Sequence, residues 1–230
     1  MAEEVKIQEP VLRSVEKWSS KDLLAKEREV TGVYVTGHPL TKYEIEYKSF
    51  ATIHLGETEE QEEEENVRAC GVINDLKTKM DKSGRMMAFF TLDDFSGSCE
   101  CLMFSKTYEK FGQYIKEEEC VFIIGNTESS GDAIKLQINE VIPLKDAKDK
   151  FTQSVKLFFE KDKNTPENIS ALKNVLEKHK GNIPVYLHFF NNGSKPRFFF
   201  LKELRVKVTD ELVKDVVRIL GEDSILFARK

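Results

Sequence analysis

Met86-Met87-Ala88-Phe89-Phe90-Thr91-Leu92-Asp93, then Asp94-Phe95-Ser96-Gly97, then Ser98-Cys99-Glu100-Cys101-Leu102-Met103-Phe104, is the stretch whose pattern decides the fold. Two runs with a period of two flank a cluster of turn residues, as in a β-hairpin with one buried face. In the first run Phe90 and Leu92 share one face, and Met87, Phe89 and Thr91 share the other. In the second, Cys99, Cys101 and Met103 oppose Glu100 and Leu102. With Phe90 turned to the core, Phe89 faces out.

Outward from this hairpin the same logic continues. Val67, Ala69, Gly71 and Ile73 alternate with Arg68, Cys70 and Asn74, the mark of a half-buried strand. Lys106 to Tyr114 reads as a short helix, and Cys120 to Gly125 and Ala133 to Ile142 as two strands around the turn residues 128–132. Three strands, a helix and two strands between residues 66 and 145 is the order of an OB-fold, a five-stranded Greek-key barrel. At this size, closure is the way five strands bury one apolar face.

Upstream, Ser19-Ser20-Lys21-Asp22 caps a helix carrying Leu23, Leu24, Glu27 and Val30, with Gly32 as its stop. Gly37-His38-Pro39-Leu40 is a turn, because proline bars helix continuation. Residues 57–65 hold seven glutamates in nine positions, a self-repelling stretch that reads as a solvated linker. Downstream the order is strand (Val155 to Glu160), helix (capped by Thr165-Pro166, stopped by Gly181), then two strands (Ile183 to Phe190, Arg197 to Leu201) across Asn191-Asn192-Gly193-Ser194. A helix from Thr209 to Leu220 and a strand from Ser224 to Phe227 follow. The order β-α-β-β-α-β predicts a ferredoxin-like domain able to bury its own core. The expected fold class is therefore α+β, mostly β: a helical lead-in over 1–56, an acidic linker over 57–65, the OB barrel over 66–145 and a small α+β domain over 151–230.

Composition narrows the function. With 40% hydrophobic residues and 16 phenylalanines in 230 residues, a packed core is expected and global disorder is not. No run approaches a membrane span, and the acidic start Met1-Ala2-Glu3-Glu4-Val5 is unlike a signal peptide. Four cysteines without such a signal read as reduced thiols, so a cytoplasmic setting is expected. The net charge is −8 over residues 1–65, −2 over 66–145 and +5 over 146–230. A uniformly basic nucleic-acid binder is excluded, while local basic patches are not.

Three blocks point to a family. Lys26-Glu27-Arg28-Glu29-Val30-Thr31-Gly32-Val33-Tyr34-Val35-Thr36-Gly37-His38-Pro39-Leu40 resembles the segment after the fingers of the bacterial DNA polymerase III alpha subunit. Met87 to Asp94, with Gly97, Glu100 and Phe104, resembles that subunit's OB domain, a pattern also shared with anticodon-binding domains. His179-Lys180-Gly181-Asn182-Ile183-Pro184-Val185, Leu204-Arg205-Val206 and Leu220-Gly221 resemble its carboxy-terminal domain. The resemblance implies a non-catalytic polymerase tail. It also implies single-stranded DNA and the tau subunit of the clamp loader as partners.

No catalytic residue, metal or cofactor is expected. The polymerase palm needs closely spaced aspartates for two magnesium ions, whereas Asp93-Asp94 stand alone in a strand-end turn. The four histidines (38, 54, 179, 188) are scattered, and His38 reads as structural. Cys99 and Cys101 are one residue apart within a strand, a spacing poor for zinc, and read as buried thiols. Gln8-Glu9-Pro10-Val11-Leu12 is a weak likeness to a sliding-clamp peptide.

The candidate binding residues follow from the OB face. Single strands need π-faces and cations, which OB-folds present on strands two and three and their loops. Phe89 is the stacking platform, with Thr91 and Leu102 beside it, and Glu100 can accept from a base amino group. Lys77, Lys79, Lys82 and Arg85 crowd the expected loop between strands one and two, where phosphates would lie. In the last domain, alternation sends Phe199 opposite Phe198 and Phe200. Phe199 with Arg197, Lys202 and Arg205 has the composition of a protein-docking hot spot. The alternatives are an RNA- or tRNA-binding OB module and a protein-interaction domain without nucleic acid.

Overall fold

The computed structural model describes residues 18–31, 34–56, 64–130, 133–190 and 197–229. Residues 8–12, Gly32, residues 57–63 of the acidic run and the 191–194 turn lie outside them. The chain divides into a unit over Met1–Pro39 and a larger one over Leu40–Lys230.

In the first unit, helix α1 spans Ser20–Thr31. Ser19 Oγ accepts from the Asp22 amide at 3.2 Å and donates to its carboxylate at 2.6 Å, satisfying an orphan amide of the first turn. The Glu27 carboxylate accepts from the amides of Val35 and Thr36, folding the chain back along the helix. The Thr36 amide is the main reason its pKa is lowered. His38 stands edge-on to Tyr34 at 5.1 Å, a packing role.

In the second unit, α2 (Glu44–Phe50) leads into β1 (Val67–Met80), β2 (Met86–Asp93), β3 (Ser98–Met103), α3 (Ser105–Phe111), β4 (Cys120–Ser130) and β5 (Ala133–Pro143). The strands close in the order β1-β2-β3-β5-β4, with β3 and β5 parallel and the other pairs antiparallel, the topology of an OB-fold. Phe90, Leu92, Cys99, Cys101, Met103 and Leu136 fill the barrel. Gly71 is required where β1 crosses β2, since a Cβ there would lie 2.4 Å from Leu92 Cγ.

β1 is not half-buried as the alternation suggested. Cys70 and Val72, on the face expected to be wet, are fully buried together with Phe122 of β4 and Ile142 of β5. They pack into a second core with Phe50 of α2 and Phe151 of α4 (Leu144–Phe151), a helix absent from the sequence reading. That core continues into the last sheet through Phe227, whose ring stacks on Phe50 at 5.9 Å.

The last sheet comprises β6 (Thr152–Phe159), β7 (Lys180–Phe189), β8 (Arg197–Val206) and β9 (Ile225–Arg229), with α5 (Pro166–Lys178) and α6 (Asp210–Leu220) packed on one face. Thr165 and Thr209 cap the helices as read, accepting from Asn168 and Leu212 amides at 3.2 Å. The small α+β domain and its element order hold, but the ferredoxin-like detail does not. The order is β8-β7-β6-β9, with β6 beside β7 and parallel to it. A ferredoxin-like sheet splits that βαβ unit; here it is unsplit. Gly181 does not stop α5. It lies in β7, where a Cβ would meet the Lys207 amide nitrogen at 2.3 Å.

Nor is the core of this sheet its own. One apolar cluster runs from α2 and the outer wall of the barrel to β6, β7, β9 and both helices. The Lys148 ammonium of α4 bridges the buried Glu46 of α2 and Asp210 of α6, the latter at 2.5 Å. Desolvation pulls the Lys148 pKa down, but hydrogen bonds to Asp210 and Glu46 outweigh it and leave it raised.

Candidate nucleic-acid interface

The β2–β3 turn is built around one carboxylate. Asp94 Oδ1 accepts from the amides of Ser96 and Gly97 and from the Ser96 hydroxyl, closing the turn. Its Oδ2 accepts from the Leu55 amide and the Tyr47 hydroxyl, both at 3.0 Å. Asp94 is thus a buried structural anchor. Asp93 Oδ2 accepts from Asn74 Nδ2 at 2.7 Å. No cluster of three or more potential metal ligands occurs among the described residues. Cys99 and Cys101 are buried, and desolvation pushes the Cys99 thiol up to about 11.

This hairpin sets the register of the outer wall. Phe89 faces out and is 39% exposed, while Phe90 is buried. Residues paired directly across neighbouring strands, antiparallel or parallel, share a face of the sheet. The pairings Lys77↔Phe89, Phe89↔Leu102 and Leu102↔Gln137 therefore lay a row across β1, β2, β3 and β5. A second row holds Thr91, Glu100 and Lys135, and the last two form an ion pair at 2.8 Å. Lys135 offsets the repulsion Glu100 would exert on phosphate. Neither Lys135 nor Gln137 was singled out in the sequence, because their register on β5 cannot be read from β5 alone.

The basic residues are placed differently from expectation. Lys77 and Lys79 are not in a loop, since β1 runs on to Met80. Asp75, at φ 54°, starts the departure from regular pairing between Asn74 and Lys77, its amide held by the Glu117 carboxylate at 2.7 Å. Lys77 stands opposite Phe89 and Lys79 opposite Met87. The loop proper is the tight turn Asp81 to Arg85. Asp81 accepts from the Ser83 and Arg85 amides and the Ser105 hydroxyl, and its pKa is lowered chiefly by the Arg85 amide and then by Ser105. Arg85 pairs with Asp81 at 3.3 Å, and Lys82 is exposed.

In the last sheet β8 is an edge strand. Arg197, Lys202 and Arg205 are exposed, and Arg205 donates to the Asn182 carbonyl at 3.3 Å. Phe199 is 49% exposed and stands edge-on to Phe189, on the side of the sheet that packs the core. Phe198 and Phe200, passed over in the sequence reading, are exposed on the opposite side.

Residues 67–144 match a family described as an OB-fold nucleic acid binding domain, and residues 171–221 match the C-terminal domain of DNA polymerase III subunit alpha. The DNA polymerase III subunit alpha of Vibrio cholerae is 24% identical over 92% of this chain, and that of Escherichia coli K12 is 25% identical over 98%. The chain spans about a fifth of the length of these relatives, 18% and 20%. The second OB-fold domain of replication protein A from Methanococcus maripaludis covers 34% of the chain, and 82% of that chain is matched, at 11% identity and a TM-score of 0.28. No helix among the described residues is long and apolar enough to cross a membrane. The resemblance read from the residues thus holds: the chain is similar to bacterial DNA polymerase III alpha subunits along nearly its whole length, and carries a general OB-fold nucleic-acid-binding domain followed by a match to the C-terminal domain of that subunit.

Proposed function

We propose that the chain serves replication as a non-catalytic part of a DNA polymerase III alpha subunit, in the bacterial cytoplasm, guiding single-stranded DNA along the outer wall of its barrel. The observation that carries this is the row Lys77, Phe89, Leu102 and Gln137: a cation, an exposed ring, an apolar floor and an amide on four neighbouring strands. Bases stack on Phe89, phosphates meet Lys77, Lys79 and Lys82, and Glu100 with Thr91 reads base edges. Fluorescence anisotropy tests it: salt-sensitive binding of a single strand, weaker binding of duplex and of tRNA, and no primer extension are expected. Equal affinity for all three nucleic acids, or none at low salt, would refute it.

The same reading gives the exposed edge of β8 to the tau subunit of the clamp loader, through Phe199, Arg197, Lys202 and Arg205, the aromatic-plus-arginine composition of a docking hot spot. Because the last sheet shares its core with the barrel, truncation would damage both. Surface substitution is the sound test. Phe199→Ala with Arg197→Glu should lose tau in a pull-down while the thermal melt stays unchanged, and full retention would refute the assignment.

A further inference from the structure

The sheet β8-β7-β6-β9 has two unlike faces. On one, Val155, Leu157, Phe159 and Val185 are fully buried. On the other, register lays out the rows Leu226, Lys156, Tyr186, Phe200 and Phe158, His188, Phe198. None of these seven side chains is buried, and Phe198 and Phe200 are 62% and 44% exposed.

The rings form a continuous field across three strands. Tyr186 stacks on Phe200 at 5.1 Å, His188 meets Phe198 edge-on at 4.7 Å, and Phe158 lies 4.9 Å from His188. Tyr186 and Phe200 cover each other on one face only, while Phe158 also stacks on Phe190 at 6.0 Å and is the least open of the rings. His188 has its pKa lowered by burial and then by the charge of Lys156, which keeps the imidazole a neutral ring at physiological pH.

The charge within the field decides what would cover it. Lys156 sits at the β6 border of the rings, between Tyr186 and Leu226, and no carboxylate pairs with it among the described residues. An apolar protein surface laid over Lys156 would strip its hydration without return, and lysine is depleted from the cores of protein interfaces. A phosphate would restore the lost hydration as an ion pair, and flat bases would use the free ring faces. The surrounding segment also carries net +5, against −2 for the barrel.

We propose that this open sheet face is a second binding surface for single-stranded nucleic acid, with bases stacking on Tyr186, His188, Phe198 and Phe200 and Lys156 meeting the backbone. It rests on neither the barrel site nor the docking assignment, since Phe199 points to the other side of β8.

The test uses the full chain carrying Phe89→Ala, to weaken the barrel site, and a fluorescent oligothymidylate of about 20 nucleotides. Adding Phe198→Ala and Phe200→Ala should weaken binding about tenfold or more. Both side chains are exposed, so the melting temperature should hold. Lys156→Gln, a milder change, should flatten the salt slope by about 0.7. A photoreactive 5-iodouracil oligonucleotide should leave adducts on peptides containing Tyr186, His188 or Phe198. Unchanged affinity in the ring variant with adducts confined to the barrel would overturn the proposal, as would loss of all binding in the Phe89→Ala background. Retained DNA affinity with lost retention of an acidic protein segment would overturn it too, assigning the face to a protein.

Discussion

The Tyr47 hydroxyl donates to Asp94 Oδ2 at 3.0 Å, tying α2 to the β2–β3 turn over 47 residues of chain. The bond links the segment before the barrel to the hairpin that carries Phe89. Burial, followed by the Asp94 charge and the hydrogen bond itself, holds the Tyr47 phenol well above its usual pKa, so it stays a donor throughout the neutral range. The same hydroxyl lies 2.6 Å from His54 Nδ1, so Tyr47→Phe removes both contacts, one of them to a carboxylate, and should cost about 1.5–3 kcal/mol in urea denaturation. Asp94→Ala should cost more, because the Leu55, Ser96 and Gly97 amides lose their acceptor as well. Equal stability of Tyr47→Phe and the parent would show that the hydroxyl contributes nothing.

Glu46 is almost fully buried and its charge is met by Lys148. Removing one partner leaves the other unpaired in a desolvated site. Lys148→Met should therefore destabilise by on the order of 3–5 kcal/mol, while the double change Lys148→Met with Glu46→Leu should recover most of it. A double-mutant cycle in guanidinium reads the difference. Additive losses would mean the pair is not coupled.

Asp215 accepts from Lys178 at 2.8 Å and lies 3.1 Å from His179 Nε2, which joins α6 to the end of α5. Those hydrogen bonds, Lys178 first, hold its carboxyl down to about 2, against an ordinary value of 3.8. A depressed carboxylate lends stability that is fully present above the unfolded value and fades as pH falls from about 4 towards 2. Melting temperatures of the parent and Asp215→Asn should accordingly differ at pH 6 and converge across that window. A gap that stays constant to pH 2 would assign the loss to packing.

What was legible in the sequence is what local pattern encodes. The hairpin read correctly because Asp94-Phe95-Ser96-Gly97 marks the turn and Phe90 and Leu92 alternate with Phe89 and Thr91. Lys77 to Met80 read as loop because both faces of that part of β1 are exposed, so no apolar alternation marks it. Cys70 and Val72 looked half-wet because their cover is a distant set of residues, Phe50, Phe151 and Phe227. Element order cannot say whether β6 and β7 are neighbours, which is why the ferredoxin-like pairing failed. Alternation likewise separated Phe199 from Phe198 and Phe200 but could not say which side α5 and α6 would cover.

That register makes the barrel reading testable at two residues with different physics. Phe89 and Lys77 are paired across β1 and β2, so one strand of DNA passing Phe89 passes Lys77. Stacking is indifferent to salt, whereas phosphate contacts release counterions. Phe89→Ala should cost on the order of 1–3 kcal/mol of binding with the salt slope unchanged. Lys77→Ala should flatten the slope by about 0.7 for a single strand. Lys79, beside Met87 one step further from the ring, should show a smaller loss than Lys77 at low salt. Fluorescence anisotropy from about 50 to 200 mM salt separates these signatures. If Phe89→Ala changes the slope and Lys77→Ala does not, the strand lies on another part of the wall. The salt bridge between Glu100 and Lys135 supplies the control. Glu100→Gln removes a repulsive charge and frees Lys135 for phosphate, so it should tighten binding and steepen the slope.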